Sequence, residues 1–112
     1  MSILSFLFGG KDTPGVTKLN VADFKSGIGQ KGVQILDVRT AGEFGSGHIA
    51  KAKNLDFFQG SRFKSGLERL KKDKPVYVYC QSGNRSGKAA RMMAAMGFTE
   101  IYDLRGGYLA WS

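Results

Sequence analysis

The segment Cys80-Gln81-Ser82-Gly83-Asn84-Arg85-Ser86 holds the residue types of a nucleophilic anion site. A cysteine is a nucleophile as its thiolate, and nearby positive charge favours that form. A short loop of small and polar residues can curl until successive backbone N–H groups point at one centre, an anion nest. A helix starting just beyond adds its positive end to the same point. Such a loop holds Cys80 as thiolate and binds the oxyanion part of a substrate. Gln81, Ser82, Gly83 and Asn84 act mainly through their N–H groups, and Gly83 permits positive φ or close backbone approach. Arg85 supplies a fixed charge and a two-pronged fork for oxygen atoms. Ser86 either hydrogen-bonds the sulfur or caps the helix. The competing reading makes Cys80 a core residue at a strand end, since cysteine is often buried.

The flanking elements decide whether such a loop can exist. Val76-Tyr-Val-Tyr79, β-branched and aromatic, is the best strand in the chain. A helix is expected from Ser86 to Met96, with Ala89, Met92, Met93 and Met96 on one face and Gly97 ending it. Upstream, Val16 to Leu19 forms a short edge strand. Asn20 with Asp23 caps a helix from Val21 to Lys25 that stops at Gly27. Val33 to Val38 is a buried strand. Thr40 with Glu43 makes a second capping box before a short helix ending near Gly47, and Ile49 to Leu55 is a further short strand. Phe63, Leu67 and Leu70 give helical spacing over Ser61 to Lys74, ahead of Pro75. Ile101 to Leu104 is the last strand, and Gly106-Gly107 opens a short helix carrying Leu109 and Trp111. Alternating strands and helices call for an α/β fold with a mostly parallel sheet covered on both faces. Ligands then bind at the carboxyl ends of the strands, where Asp37-Val38-Arg39 and Cys80 to Arg85 both lie. Asp37 and Arg39 are read as supporting framework, an ion pair or hydrogen-bonded pair.

At 112 residues, 42% of them hydrophobic, the chain is sized for one domain with a real core. The expected division is an N-terminal arm over 1–15 and the domain over 16–112. The run Ile3 to Phe8 is too short for a secretory or membrane-spanning segment and lacks a basic flank. The formal charge of +8 favours anionic partners without choosing among them. One cysteine allows no internal disulfide, and one cysteine with one histidine argues against a structural zinc site. A lone thiol suits a reducing, cytoplasmic setting, while the N-terminal arm leaves export or membrane association open.

Taken in order, Leu36-Asp37-Val38-Arg39, Glu43-Phe44, Gly47-His48-Ile49, Asn54, Val78-Tyr79-Cys80 with Gln81 to Ser86, and Leu104-Arg105-Gly106-Gly107 with Trp111 resemble a single-domain rhodanese, a sulfurtransferase. The resemblance covers residues 16 to 112. It implies a rhodanese-like three-layer domain with a five-stranded, mostly parallel sheet. It also implies an activity: Cys80 takes the outer sulfur of a donor such as thiosulfate as a persulfide, then passes it to cyanide or a thiol, with no cofactor and no metal. His48 is structural by the same pattern. Related phosphatases and arsenate reductases share the fold but typically place one residue more between Cys and Arg. Here four residues separate Cys80 from Arg85, the sulfurtransferase spacing. The alternative function is a non-enzymatic sulfur carrier or adaptor module. The stretch Arg62 to Lys74, with six positive and two negative residues, is a solvated helix face or a dock for an acidic sulfur-relay protein. A nucleic-acid role has only net charge behind it and is not expected.

Overall fold

The computed structural model describes residues 13–112. Five strands form one sheet: β1 (Val16–Leu19), β2 (Gln34–Asp37), β3 (Lys53–Asn54), β4 (Val76–Tyr79) and β5 (Ile101–Leu104). Their spatial order is β1-β5-β4-β2-β3, and every pairing is parallel. Central β4 is buried at all four positions, as its unbroken apolar run requires. The helices are α1 (Val21–Ile28), α2 (Ala41–Gly45), α3 (Ser61–Glu68), α4 (Asn84–Ala95) and α5 (Gly107–Trp111).

Strand alternation sorts the core into two layers. Leu36, Val38, Val76, Val78 and Cys80 face α3 and α4, meeting Phe63, Leu67, Ala89, Ala90 and Met93. Ile35, Tyr77, Tyr79 and Leu104 face the other way, meeting Phe24 of α1 with Tyr108 and Trp111 of α5. Phe24 is the hub of that second layer, edge-on to Tyr77, Tyr79 and Trp111 with ring centroids 5.3, 6.5 and 6.1 Å away. The expected three-layer α/β architecture is the observed one. No helix among the described residues is long and apolar enough to cross a membrane.

Local signals placed most elements but not all their ends. The Asn20 side chain accepts from Asp23 N at 2.8 Å, as expected, but α1 runs through Gly27 to Ile28. Gly27 is a packing residue: a Cβ there would collide with the Tyr77 ring and hydroxyl. The basic helix ends at Glu68 rather than Lys74. Gln34 captures the chain beyond it, accepting from Lys71 N at 2.8 Å and donating to Lys71 O at 2.8 Å. The strand expected over Ile49 to Leu55 shrinks to Lys53–Asn54. Conversely α4 begins at Asn84, two residues early, so Asn84 and Arg85 form its first turn. Most of the expected N-terminal arm, residues 1–12, lies outside the described residues.

Candidate active site

Cys80 leaves the end of β4 and is fully buried. Its sulfur accepts the Gly83 N–H at 3.1 Å, across a turn in which Gly83 adopts φ +106°. Gly83 is also the N-cap of α4 and caps it without a side chain, so the first-turn N–H groups have no intrahelical acceptor. Cys80 is thus buried, as the competing reading expects, while its sulfur sits beside the positive end of a 12-residue helix. Among the described residues a single backbone N–H, that of Gly83, reaches the sulfur, fewer than a full nest.

The loop's carbonyls are held from behind. Tyr108 N donates to Cys80 O at 2.8 Å and Leu109 N to Gln81 O at 3.1 Å. A trans peptide points its N–H opposite to its C=O. Anchoring these two carbonyls on α5 therefore turns the N–H groups of Gln81 and Ser82 away from α5. Close contact requires Gly107, where a Cβ would stand 2.6 Å from Cys80 O and 2.5 Å from Gln81 O. The double glycine was legible as a helix start; its fit against the cysteine loop was not.

Arg85 stands where its fork meets another side chain. Its Nη1 and Nη2 donate to Glu43 Oε1 and Oε2 at 2.8 and 3.1 Å, and its guanidinium lies 5.4 Å from the Phe58 ring centre. Glu43 closes the Thr40 capping box with the same carboxylate, accepting from Thr40 N at 2.9 Å. The Arg85 guanidinium, assisted by Thr40 against the cost of burial, lowers the Glu43 carboxyl from 4.5 to about 2. A depressed carboxyl contributes stability above its unfolded value, which is lost as pH falls toward the folded one. Glu43→Gln should therefore flatten the acid limb of the stability curve between about pH 4.5 and pH 2. It should also remove about 1 kcal/mol at neutral pH, solvent screening of this half-buried pair being included. Urea unfolding across that pH range measures both effects. An unchanged acid limb in the variant would show the pair to be energetically idle.

The expected framework pair is present and buried. Arg39 Nη2 donates to Asp37 Oδ2 at 2.8 Å and Arg39 Nε to Asp37 Oδ1 at 3.1 Å, while Asp37 Oδ1 also accepts Arg39 N at 2.8 Å. The rest of the guanidinium reaches the loop. Nη1 donates to Gln81 Oε1 at 3.0 Å and Nη2 to Gly47 O at 2.6 Å, with the Tyr108 ring centre 4.4 Å away. Asn54 donates to Asp37 O and Arg39 O at 3.0 and 2.9 Å, fixing the backbone around the pair.

Ser86, fully buried, places Oγ 3.5 Å from Cys80 Sγ and donates to Asp103 Oδ1 at 2.6 Å. Asp103 is not singled out by the sequence, because it stands inside the apolar strand Ile101-Tyr-Asp-Leu104. A carboxylate in a strand interior was the available signal. Ser82 and Asn84 are exposed at the loop rim. His48, exposed, packs its ring flat on Phe44, centroids 3.6 Å apart, with Nδ1 2.8 Å from Phe44 O. From the basic stretch, Arg69 and Lys71 line a cavity of about 620 Å³ with Lys31, Lys51 and Lys53. That cavity opens where β2 and β3 begin, whereas Cys80 follows the end of β4.

This geometry has relatives. Residues 20–112 match the model of the rhodanese-like domain. The protein YqhL of Bacillus subtilis is 43% identical over 93 residues, covering 83% of this chain and 70% of its own. The thiosulfate sulfurtransferase GlpE of Pseudomonas putida is 35% identical over 82 residues, 73% of this chain and 72% of that one. Among solved structures, a rhodanese-related protein from Thermoplasma volcanium superposes with a TM-score of 0.73 at 33% identity, covering 84% of this chain and 88% of that one. A rhodanese-like domain protein from Staphylococcus aureus gives 0.75 at 29%, covering 86% and 91%. Fold, motif order and match agree over the same residues, and the chain belongs to the rhodanese-like domain family.

Proposed function

We propose that this protein is a sulfurtransferase that carries sulfane sulfur as a persulfide on Cys80, with thiosulfate as a donor and cyanide or a thiol as acceptor. The observation that carries the reading is the position of the Cys80 sulfur. It ends the central strand, accepts the Gly83 N–H, and adjoins the uncapped start of α4. The GlpE relatives, named thiosulfate sulfurtransferases, support the choice of donor.

In the first half-reaction the Cys80 thiolate attacks the outer sulfur of thiosulfate. The S–S bond of the donor breaks, sulfite leaves with the bonding pair, and a persulfide anion remains. In the second, cyanide or a thiolate attacks the outer persulfide sulfur and Cys80 departs as thiolate. Neither step consumes an oxidant or a cofactor. The N–H groups from Gln81 to Ser86 bind the anionic donor. Arg85, paired with Glu43, contributes by holding the loop's far end as well as by its charge. Asp37 and Arg39 hold Gln81 in register. The +8 charge steers small anions or an acidic sulfur-relay protein toward the site. A cytoplasmic setting, which keeps a lone thiol reduced, belongs to the same reading.

Intact-protein mass spectrometry tests it. Thiosulfate should add the mass of one sulfur atom, and cyanide or excess thiol should remove it. Cys80→Ser should take up none. An unchanged native mass, under conditions that load GlpE, overturns the reading. Loading without turnover in cyanide assigns the chain to the carrier alternative.

A further inference from the structure

One buried carboxylate has no part in the chemistry above. Asp103 faces α4 from the third position of β5, opposite Val78 of β4, and is 1% exposed. Burying an ionised carboxylate costs several kcal/mol unless it is well paired. Among the described residues the cation that pairs with it, Lys18 of β1, is 54% exposed and stands 4.0 Å from Oδ2. Arg91 of α4 and Arg105 beyond β5 contribute weaker charge. Burial wins over the Ser86 hydrogen bond and these cations, so the Asp103 carboxyl holds its proton more tightly than an ordinary aspartate. Its other oxygen meets Ser86 Oγ at 2.6 Å, the length of a charge-assisted O–H···O bond. The same Oγ lies 3.5 Å from Cys80 Sγ and 3.3 Å from Gly83 O. A serine hydroxyl has one proton to give and can accept two. Sulfur, hydroxyl and carboxylate therefore form a continuous buried chain, two links long.

We propose that Asp103 receives the proton of Cys80 through Ser86. Resting on the sulfurtransferase reading, this assigns Asp103 a positioning role for the proton rather than contact with substrate. The Cys80 S–H bond breaks as its proton passes to Ser86 Oγ, and the Ser86 hydroxyl proton passes to Asp103 Oδ1. The products are a thiolate, a hydroxyl that now donates to it, and a neutral carboxylic acid that donates to the hydroxyl. Total charge is unchanged: one negative charge moves from Asp103 to the sulfur. No second buried charge is created, and the charge arrives beside the Gly83 N–H and the α4 N-terminus, which favour it. A buried thiol thus becomes a nucleophile without a histidine.

Two groups sharing one proton titrate as a pair, in two macroscopic steps. The rate of Cys80 alkylation by neutral iodoacetamide should then rise with pH in two steps separated by a flat stretch. Between the steps the thiolate fraction is set inside the pair and not by bulk pH. Asp103→Asn keeps the shape but cannot take a proton, so the flat stretch should give way to a single climb of about tenfold per pH unit. Ser86→Ala, which removes the bridge, should do the same. A native profile with one step, or a flat stretch that survives both folded variants, overturns the proposal. If Asp103→Asn does not fold, the native profile and Ser86→Ala decide it. Thiosulfate loading of the same samples separates the two readings. Two steps without loading sink the sulfurtransferase reading alone; loading with one step sinks the relay alone.

Discussion

Arg39→Met should cost about 3–5 kcal/mol of folding stability, the range for removing one partner of a buried ion pair. The reason is the anion left behind. Asp37 is fully buried, and its carboxylate accepts from the Arg39 backbone N–H and from the Arg39 guanidinium, the cation that compensates it. Against a typical total of about 5–15 kcal/mol, that is about a fifth of the stability or more. The double variant Asp37→Asn/Arg39→Met removes the orphan charge and should recover most of the loss. It should not recover sulfur loading, because Gln81 Oε1 and Gly47 O still lack the guanidinium that tied them together. Urea unfolding reads the first quantity and the rate of persulfide formation the second. A single variant losing under about 1 kcal/mol contradicts the buried-pair account. A double variant that loads sulfur at the native rate contradicts the positioning role.

Gly107→Ala is expected to be comparably severe for a different reason. The residue sits at φ +64°, which costs an alanine about 1–2 kcal/mol. Its methyl would also meet backbone of the cysteine loop, with Gln81 O at 2.5 Å and Cys80 O at 2.6 Å. Backbone on both sides has nowhere to go except by breaking the Tyr108 N and Leu109 N bonds to those carbonyls. A total of about 3 kcal/mol or more should result, together with loss of sulfur loading. Gly32→Ala isolates the first cause. Gly32 has φ +81° with nothing within 4 Å of a Cβ, so it should lose only the conformational part and leave loading intact. Equal losses at the two glycines would remove the steric explanation.

These two sites also mark what a linear sequence conveys. Strand β4, the α2 capping box and the cysteine loop are local patterns, and each was legible because its signal lies within a few residues. Glu43 was read as a cap, which it is; that the same carboxylate would seat Arg85, 42 positions away, is a tertiary fact. Gly27 resembles a helix stop because glycine commonly is one, and the Tyr77 ring that requires it comes from strand β4, far along the chain. Asp103 was hidden by its neighbours, since a charge inside an apolar run shows a partner is needed but not which. Helix α3 fell short of its periodic pattern because Gln34, far upstream, offers the chain a competing pair of hydrogen bonds.

The three anchors on the cysteine loop have an entropic consequence. Glu43 grips Arg85, Arg39 grips Gln81, and α5 holds the carbonyls of Cys80 and Gln81. Ordering the backbone of a residue costs about 1–2 kcal/mol, so a floppy Gln81-to-Arg85 segment would charge any ligand that folded it roughly 5–10 kcal/mol. A small anion held at millimolar strength supplies only about 4 kcal/mol. An unanchored loop could not be organised by so small a guest. The ordering has already been met during folding, so the whole affinity of a few N–H contacts remains for the anion, and turnover need not wait for the loop to refold.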